Sequence, residues 1–219
     1  MKKVSLILSI VVMTAMMLSS YGDGASTEEG ASTEVTIGKQ VWMTQNLNVD
    51  KFRNGDPIPE VKTKDEWNKA GNNEEPAWCY YNNDPANGEK YGKLYNWYAV
   101  NDLRGLAPVG YHIPSDAEWT ILTDNLGGEE VAGTKMKNTS GWIENGNGTN
   151  ESGFSGLPGG GRNEYGTFYY FDYCYWWSST EDYDYTNYAW YRNLYFNYGL
   201  VNRYSNHKRF GFSVRCLRD

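Results

Sequence analysis

The residues of this chain whose types suit chemistry are two histidines, three cysteines, a few carboxylates and an unusual excess of tyrosine. His112 and His207 have no second His or Cys at metal-ligand spacing. Ser115 has no base beside it in sequence and reads as a helix N-cap rather than a nucleophile. Gly159-Gly160-Gly161 does not open a helix after a strand, so it reads as a close-packed turn and not a phosphate cradle. Asp182, Asp184 and Asn187 offer oxygens to Ca²⁺ but lack the fixed Gly and terminal Glu of an EF-hand loop, which leaves them as solvated turn residues. The expectation is a protein that is not an enzyme, with no catalytic residue, no metal and no cofactor.

The tyrosines point to binding instead. Between Tyr165 and Phe210 lie twelve of the chain's nineteen, interleaved with Asn, Asp, Ser and Trp. Tyr and Trp give large rigid contact area at low entropy cost, and Asn and Ser add adaptable hydrogen bonds. A pure core would not be interrupted so often by Asn and Asp, as in Asp182-Tyr183-Asp184-Tyr185-Thr186-Asn187-Tyr188. Trp176, Trp177, Ala189, Trp190, Leu194, Val201 and Val214 read as the buried frame. The displayed candidates are Tyr170, Tyr173, Tyr183, Asp184, Tyr185, Asn187, Tyr195, Asn197, Tyr198, Tyr204, Asn206 and His207. Among them Tyr183, Tyr185, Tyr195, Tyr198 and Tyr204 are the expected anchors.

Several elements must position these residues. Val35 to Leu47 alternates as a strand pair around Gly38-Lys39. Thr63-Lys64-Asp65-Glu66 and Ser115-Asp116-Ala117-Glu118 are capping boxes that open helices, the second with Trp119, Leu122 and Leu126 on one face. A helix is expected over Tyr91 to Val100, a short one over Glu129 to Lys137, and a loop over Asn82 to Gly88. Short strands follow at 175–179, 189–196, 200–203 and 212–217. Helices first and strands later predict an α+β domain.

The ends and the charge bound the setting. Residues 1–20 carry Lys2 and Lys3 ahead of an apolar run too short for a comfortable span, the pattern of a secretion signal. Leu18-Ser19-Ser20 resembles the start of a lipobox, but Tyr21 stands where the acceptor Cys would be. Residues 21–34 repeat Gly-Ala-Ser-Thr-Glu and read as a flexible acidic linker, so the globular domain spans 35–219. This predicts an exported protein at the outer membrane or cell surface, or released from it. The net charge is −7 with no cluster of Lys and Arg, which argues against a nucleic-acid partner. Export permits disulfides. A Cys79–Cys216 bridge with Cys174 free is the expected pairing, and three unpaired thiols are the alternative.

Several motifs in order resemble the Fibrobacter succinogenes major paralogous domain. They are Val41-Trp42-Met43-Thr44-Gln45-Asn46-Leu47, Tyr91-Gly92-Lys93-Leu94-Tyr95-Asn96-Trp97, Gly110-Tyr111-His112-Ile113-Pro114-Ser115, Leu157-Pro158-Gly159-Gly160-Gly161-Arg162 and Gly211-Phe212-Ser213-Val214-Arg215-Cys216. The resemblance implies an exported protein of Bacteroidetes-like bacteria, often a lipoprotein, with no established enzymatic activity. Pro114-Ser115 through Glu118-Trp119 and the Gly-Phe-Ser-Val-Arg ending also resemble the formylglycine-generating branch of the C-type-lectin fold. That implies two main helices packed on a twisted antiparallel sheet with long loops. The paired active-site cysteines of that branch and the sugar-binding Ca²⁺ motifs of true lectins do not carry over.

Residues 169–210 further resemble the variable region of a diversity-generating retroelement target. Such systems rewrite adenines in AAC-type codons and never yield Trp, Lys, Glu, Gln or Met. Phe171, Cys174, Phe196, Ser205, Phe210 and the displayed candidates fall in the permitted set, while Trp176, Trp177, Glu181, Trp190 and Lys208 do not. The resemblance implies a binding face that meets a protein or glycan on another cell, a phage or a host surface, with Cys174 a drawn outcome. The competing expectations are an oxidoreductase related to the formylglycine-generating group and a structural envelope protein without a discrete ligand.

Overall fold

The computed structural model describes residues 33–219. The expected signal peptide and nearly all of the linker lie outside the described residues. Strands β1 (Glu34–Ile37) and β2 (Gln40–Met43) form the predicted hairpin. Its two-residue turn needs positive φ, which Gly38 supplies at 62°, and a Cβ there would also meet the Asn125 side chain at 2.5 Å. Helix α1 (Lys64–Asn72) follows, then β3 (Trp78–Cys79), α2 (Pro85–Tyr91), β4 (Leu94–Tyr95), α3 (Trp97–Val100) and β5 (Tyr111–His112). Next come α4 (Asp116–Asn125) and α5 (Glu129–Met136). The rest is strand: β6 (Gly161–Arg162), β7 (Phe168–Tyr169), β8 (Tyr173–Glu181), β9 (Tyr188–Tyr195), β10 (Asn202–His207) and β11 (Leu217–Arg218).

Both capping boxes form. Thr63 and Ser115 each accept from the backbone of the third helical residue, and Glu66 and Glu118 reach back. Each such cap is worth about 1 kcal/mol. Gly71 lies inside α1, which runs on to Asn72.

The architecture differs from the expected pair of main helices on one twisted sheet. Every ladder between the named strands is antiparallel, but the strands fall into four separate sheets, ordered β1-β2-β11-β5, β10-β9-β8, β3-β4 and β6-β7. No described helix exceeds the ten residues of α4. The expected helix over 91–100 is broken in the same way. Gly92 adopts positive φ, Leu94–Tyr95 pairs as a strand, and only Trp97–Val100 is helical. Within the expected loop at 82–88, Asp84 caps α2 through the amide of Ala86. The expected strand at 200–203 is displaced to β10, and only Leu217–Arg218 of the last segment pairs as a strand.

Three buried clusters hold these fragments together. One joins Trp42, Trp119, Phe154, Trp176 and Leu194. A second gathers Tyr95, Tyr175, Trp177, Phe212 and Val214, and a third surrounds Trp67, Cys79 and Leu94. Buried arginines tie the clusters to loop backbone. Arg215, 1% exposed, donates to Met43 O at 3.0 Å, Phe154 O at 2.6 Å and Asn46 Oδ1 at 2.9–3.0 Å. Arg162, fully buried, donates to Val61 O, Lys62 O, Thr63 O and Gly166 O. Four or more charge-assisted bonds to carbonyls offset the cost of taking each guanidinium out of water.

The expected Cys79–Cys216 disulfide is absent, and all three cysteines are free and buried. Cys79 packs in the Trp67 cluster beside Arg162, and Cys216 packs in the Tyr95 cluster. Burial pushes both thiols up to about 12, so they behave as small apolar residues.

Replacing Arg215 by Met keeps the stem but orphans the carbonyls of Met43 and Phe154 and leaves the Asn46 amide oxygen with Trp176 Nε1 alone. We expect a loss of about 2–4 kcal/mol in folding stability. Urea unfolding of the wild type and R215M measures it, and an unchanged midpoint would show that the guanidinium is not a cross-link.

Candidate functional site

Strand β9 is the centre of the three-stranded sheet, and its alternation sorts the tyrosine-rich region into two faces. Tyr195, Asn193, Tyr191 and Ala189 share one face with their partners Tyr173, Tyr175 and Trp177 on β8 and Asn202, Tyr204 and Asn206 on β10. Leu194, Arg192 and Trp190 share the other with Cys174, Trp176, Arg203 and Ser205.

The second face is locked onto α4. Arg192 donates to Asp116 Oδ1 at 2.6 Å and to Thr120 Oγ1 at 3.0 Å. Arg203 adds a forked pair to the same carboxylate and stacks over Trp190 at 3.6 Å. Burial pushes the Asp116 carboxyl up, but the hydrogen bonds from Arg203 and Arg192 outweigh it and hold it below the usual range. This face is therefore spent on positioning the sheet.

The first face is aromatic and partly open. Ring centroids run Tyr170–Tyr173 at 5.0 Å, Tyr173–Tyr195 at 4.4 Å and Tyr195–Tyr198 at 6.2 Å. Beneath them Tyr169, Tyr175 and Tyr191 are in contact, and Tyr204 leans on Tyr191. Tyr170, Tyr198 and Tyr204 are exposed, and Asn197 is exposed in the turn after β9.

The expected anchors do not form one site. Tyr173 and Tyr195 pair at one end of β8 and β9, whereas Tyr183, Asp184, Tyr185 and Asn187 lie in the turn that leaves the other end. The eight-residue strand β9 separates them by about 23 Å. Tyr183 and Tyr185 are the more exposed of all, but the second group is smaller, with Tyr185–Tyr188 and Tyr188–His207 its ring contacts. Asn206 and His207 are half-buried, and their side chains hold the turn at the end of β10. Asn206 Oδ1 accepts from the His207 amide, and His207 Nδ1 accepts from the Arg209 amide. Asp182, buried, likewise accepts from the Asp184 amide.

Cys174, expected as a drawn outcome of the variable region, is fully buried beside Leu194 and Trp176. Of the expected frame, Trp190 is half-buried, and the other six residues are buried.

Sequence reasoning missed two kinds of residue. Tyr175, Tyr191, Asn193 and Asn202 sit on the aromatic face, and the alternation of β9 could have found them. Lys137 gave no signal. Its buried ammonium donates to Tyr195 O, Phe196 O and Tyr198 O at 2.9–3.1 Å, which shapes the turn that carries Tyr198. Gly146 passes that same turn so closely that a Cβ would lie 2.4 Å from Phe196 O.

A second feature is an open depression of about 340 Å³, lined by Arg53, Leu106, His112, Ile113, Glu118 and Ser179. Its polar groups are largely committed. Arg53 donates to Ala107 O and Tyr111 O, and His112 bridges Glu118 at 3.0 Å and Asp219 at 2.8 Å. The bridge ties the last described residue to α4, which makes it a brace rather than a site.

With this geometry in view, the comparison with known families is specific: the Fibrobacter succinogenes major domain matches residues 35–218, and the chain belongs to that family. No curated protein and no solved structure matches it.

Two outcomes are expected. Lys137→Met removes three hydrogen bonds from one turn. It should cost about 2 kcal/mol and expose the amides of 197–199 to hydrogen exchange, with the β8–β9 ladder still protected. For His112, burial opposes the proton, but hydrogen bonds to Asp219 and Glu118 raise its affinity above the usual value of 6.5. The brace then stabilises fully below that value and is lost as pH rises through the raised folded value. The melting difference between wild type and His112→Gln should shrink as pH rises above about 6.5; a difference independent of pH would overturn the assignment.

Proposed function

We propose that this is an exported, surface-associated binding protein without enzymatic activity, and that its binding surface is the aromatic end of the three-stranded sheet. The observation that carries this reading is the contiguous set of Tyr170, Tyr173, Tyr195 and Tyr198, with Tyr204 on the same face, all open to solvent to some degree. Aromatic clusters of this kind, left uncovered on a protein whose core already has ample tryptophan, mark interaction sites. Export rests on the basic and apolar pattern of residues 1–20. The partner would be a protein or glycan on another cell, a phage or a host surface.

Diversification by a retroelement fits the same surface. Phe171, Phe196, Ser205 and Phe210, like the twelve displayed candidates, are exposed or half-buried, while Trp176 and Trp177 are sealed. Cys174 is the exception, and the reading treats it as frame. The oxidoreductase alternative has little to support it, because burial pushes the thiols of Cys174 and Cys216 up and keeps them protonated.

Cells, phage particles and mucin-coated beads offered to the purified exported chain test the binding reading. Replacing Tyr170, Tyr173, Tyr195 and Tyr198 together by Ser should abolish attachment, whereas the same change at Tyr183 and Tyr185 should weaken it less than tenfold. Attachment that survives the first set and fails with the second would move the site to the far turn. Sequencing the gene across one population tests diversification: changes should fall at the exposed positions between Tyr170 and Phe210 and spare Trp176 and Trp177.

A further inference from the structure

The aromatic face has a polar floor that its packing does not explain. Asn193 is fully buried, yet neither its amide oxygen nor its amide nitrogen has a hydrogen-bond partner. Its neighbour across β9–β10 is Asn202, also buried, whose amide nitrogen is equally unpaired. Leaving such groups unmet costs about 1–3 kcal/mol each, and a leucine would fit a sheet face without that cost. Native structures keep few such atoms, and those they keep usually serve a function or hold a water.

Register places these two amides among tyrosines. Tyr175 is opposite Asn193 on β8, Tyr191 and Tyr195 flank it on β9, and Tyr204 follows Asn202 on β10. The hydroxyls of Tyr169, Tyr173, Tyr175 and Tyr191 make no hydrogen bond to any described residue, and none is sealed from solvent. Burial first, and then mainly the neighbouring tyrosines, raises the pKa of Tyr169, Tyr175 and Tyr191. They therefore remain uncharged hydroxyls that both donate and accept at any physiological pH.

The nearest cations are turned elsewhere. Lys137 is consumed by the turn carbonyls, and Arg192 and Arg203 lie on the opposite face with Asp116. The face thus offers flat rings, rotatable hydroxyls and primary amides, without a charge of its own to pair with a phosphate, sulfate or carboxylate.

We infer that this floor is the subsite for a neutral saccharide. Resting on the binding function proposed above, the inference names the ligand class. Aliphatic C–H faces of a sugar ring stack on Tyr195 or Tyr204, and its neighbouring hydroxyls, each donor and acceptor at once, meet the Asn193 and Asn202 amides and the tyrosine hydroxyls. A protein partner would more typically present Arg or aromatic anchors to such a surface and would leave the buried amides unmet. Because Asn193 is covered, a flanking ring must turn aside for the sugar to reach it, and the half-exposed Tyr204 is placed to do so.

The test uses the exported chain on an array of neutral oligosaccharides and their sulfated and uronic-acid counterparts, followed by titration calorimetry with the strongest neutral binder. Wild type should prefer neutral sugars. Asn193→Leu should weaken that binding at least tenfold while its melting temperature holds or rises, because an unmet polar group has been removed. Equal sugar binding by wild type and Asn193→Leu would show that the amide is only structural and would overturn the inference. So would array binding confined to charged sugars, or attachment to cells that depends on the Tyr170, Tyr173, Tyr195 and Tyr198 set but survives periodate oxidation of the cell-surface glycans. In that last case the binding surface stands and its partner is a protein. Attachment indifferent to all four tyrosines would instead remove the binding surface itself.

Discussion

The guanidinium of Arg215 is buried in a cage of tryptophan, phenylalanine and backbone oxygen, without a carboxylate beside it. A charge in that position is tolerable only while Met43 O, Phe154 O and Asn46 Oδ1 all face it, so it ties the 43–46 segment at the end of β2 to the distant loop at Phe154. Asn46 also accepts from Trp176 Nε1 at 2.8 Å, which carries the constraint into β8. Arg162 does the same for residues 61–63 and the turn at Gly166. A chain with short helices and two-residue strands has few ladder bonds of its own, and these cationic cross-links stand where longer elements would otherwise give cooperativity.

The proposed binding surface inherits its rigidity from that arrangement. Trp176 and Cys174 face the core from β8, and the residues that alternate with them, Tyr173 and Tyr175, must then face the other way. Arg192 and Arg203 pin β9 and β10 to α4 through Asp116. Lys137 holds the turn after β9 by its carbonyls, which leaves the side chains of Asn197 and Tyr198 free to vary without disturbing the fold. Backbone contacts that hold a loop while its side chains stay uncommitted are what a surface needs if its residues are to change.

Much of the local structure was legible. The β1–β2 hairpin followed from alternation around Gly38-Lys39, and α1 and α4 followed from their capping boxes, because each signal is confined to a few neighbouring residues. The helix expected at 91–100 failed because Leu94 and Tyr95 are claimed by pairing with Trp78 and Cys79, a contact no local pattern reveals. The expected disulfide failed for a similar reason: apolar flanks place a cysteine in a core but do not say which one.

For the proposed binding surface, composition alone singled out the segment and the residues of its frame: Trp176 and Trp177 are buried and Trp190 is half-buried, whereas the tyrosines and asparagines divide between exposed and covered positions. The tertiary structure alone decided which tyrosines act together. Strand register sets Tyr173 against Tyr195 and puts Tyr183 and Tyr185 at the far end of the sheet, although they are nearer in sequence to Tyr195 than Tyr173 is. It also decided that Asn193 and Asn202 lie side by side with unmet amides. Residue type reports how readily a side chain leaves water, and it is local. Which side chains meet is set by the register of strands far apart in the chain, and that is fixed only when the buried clusters and their arginines assemble.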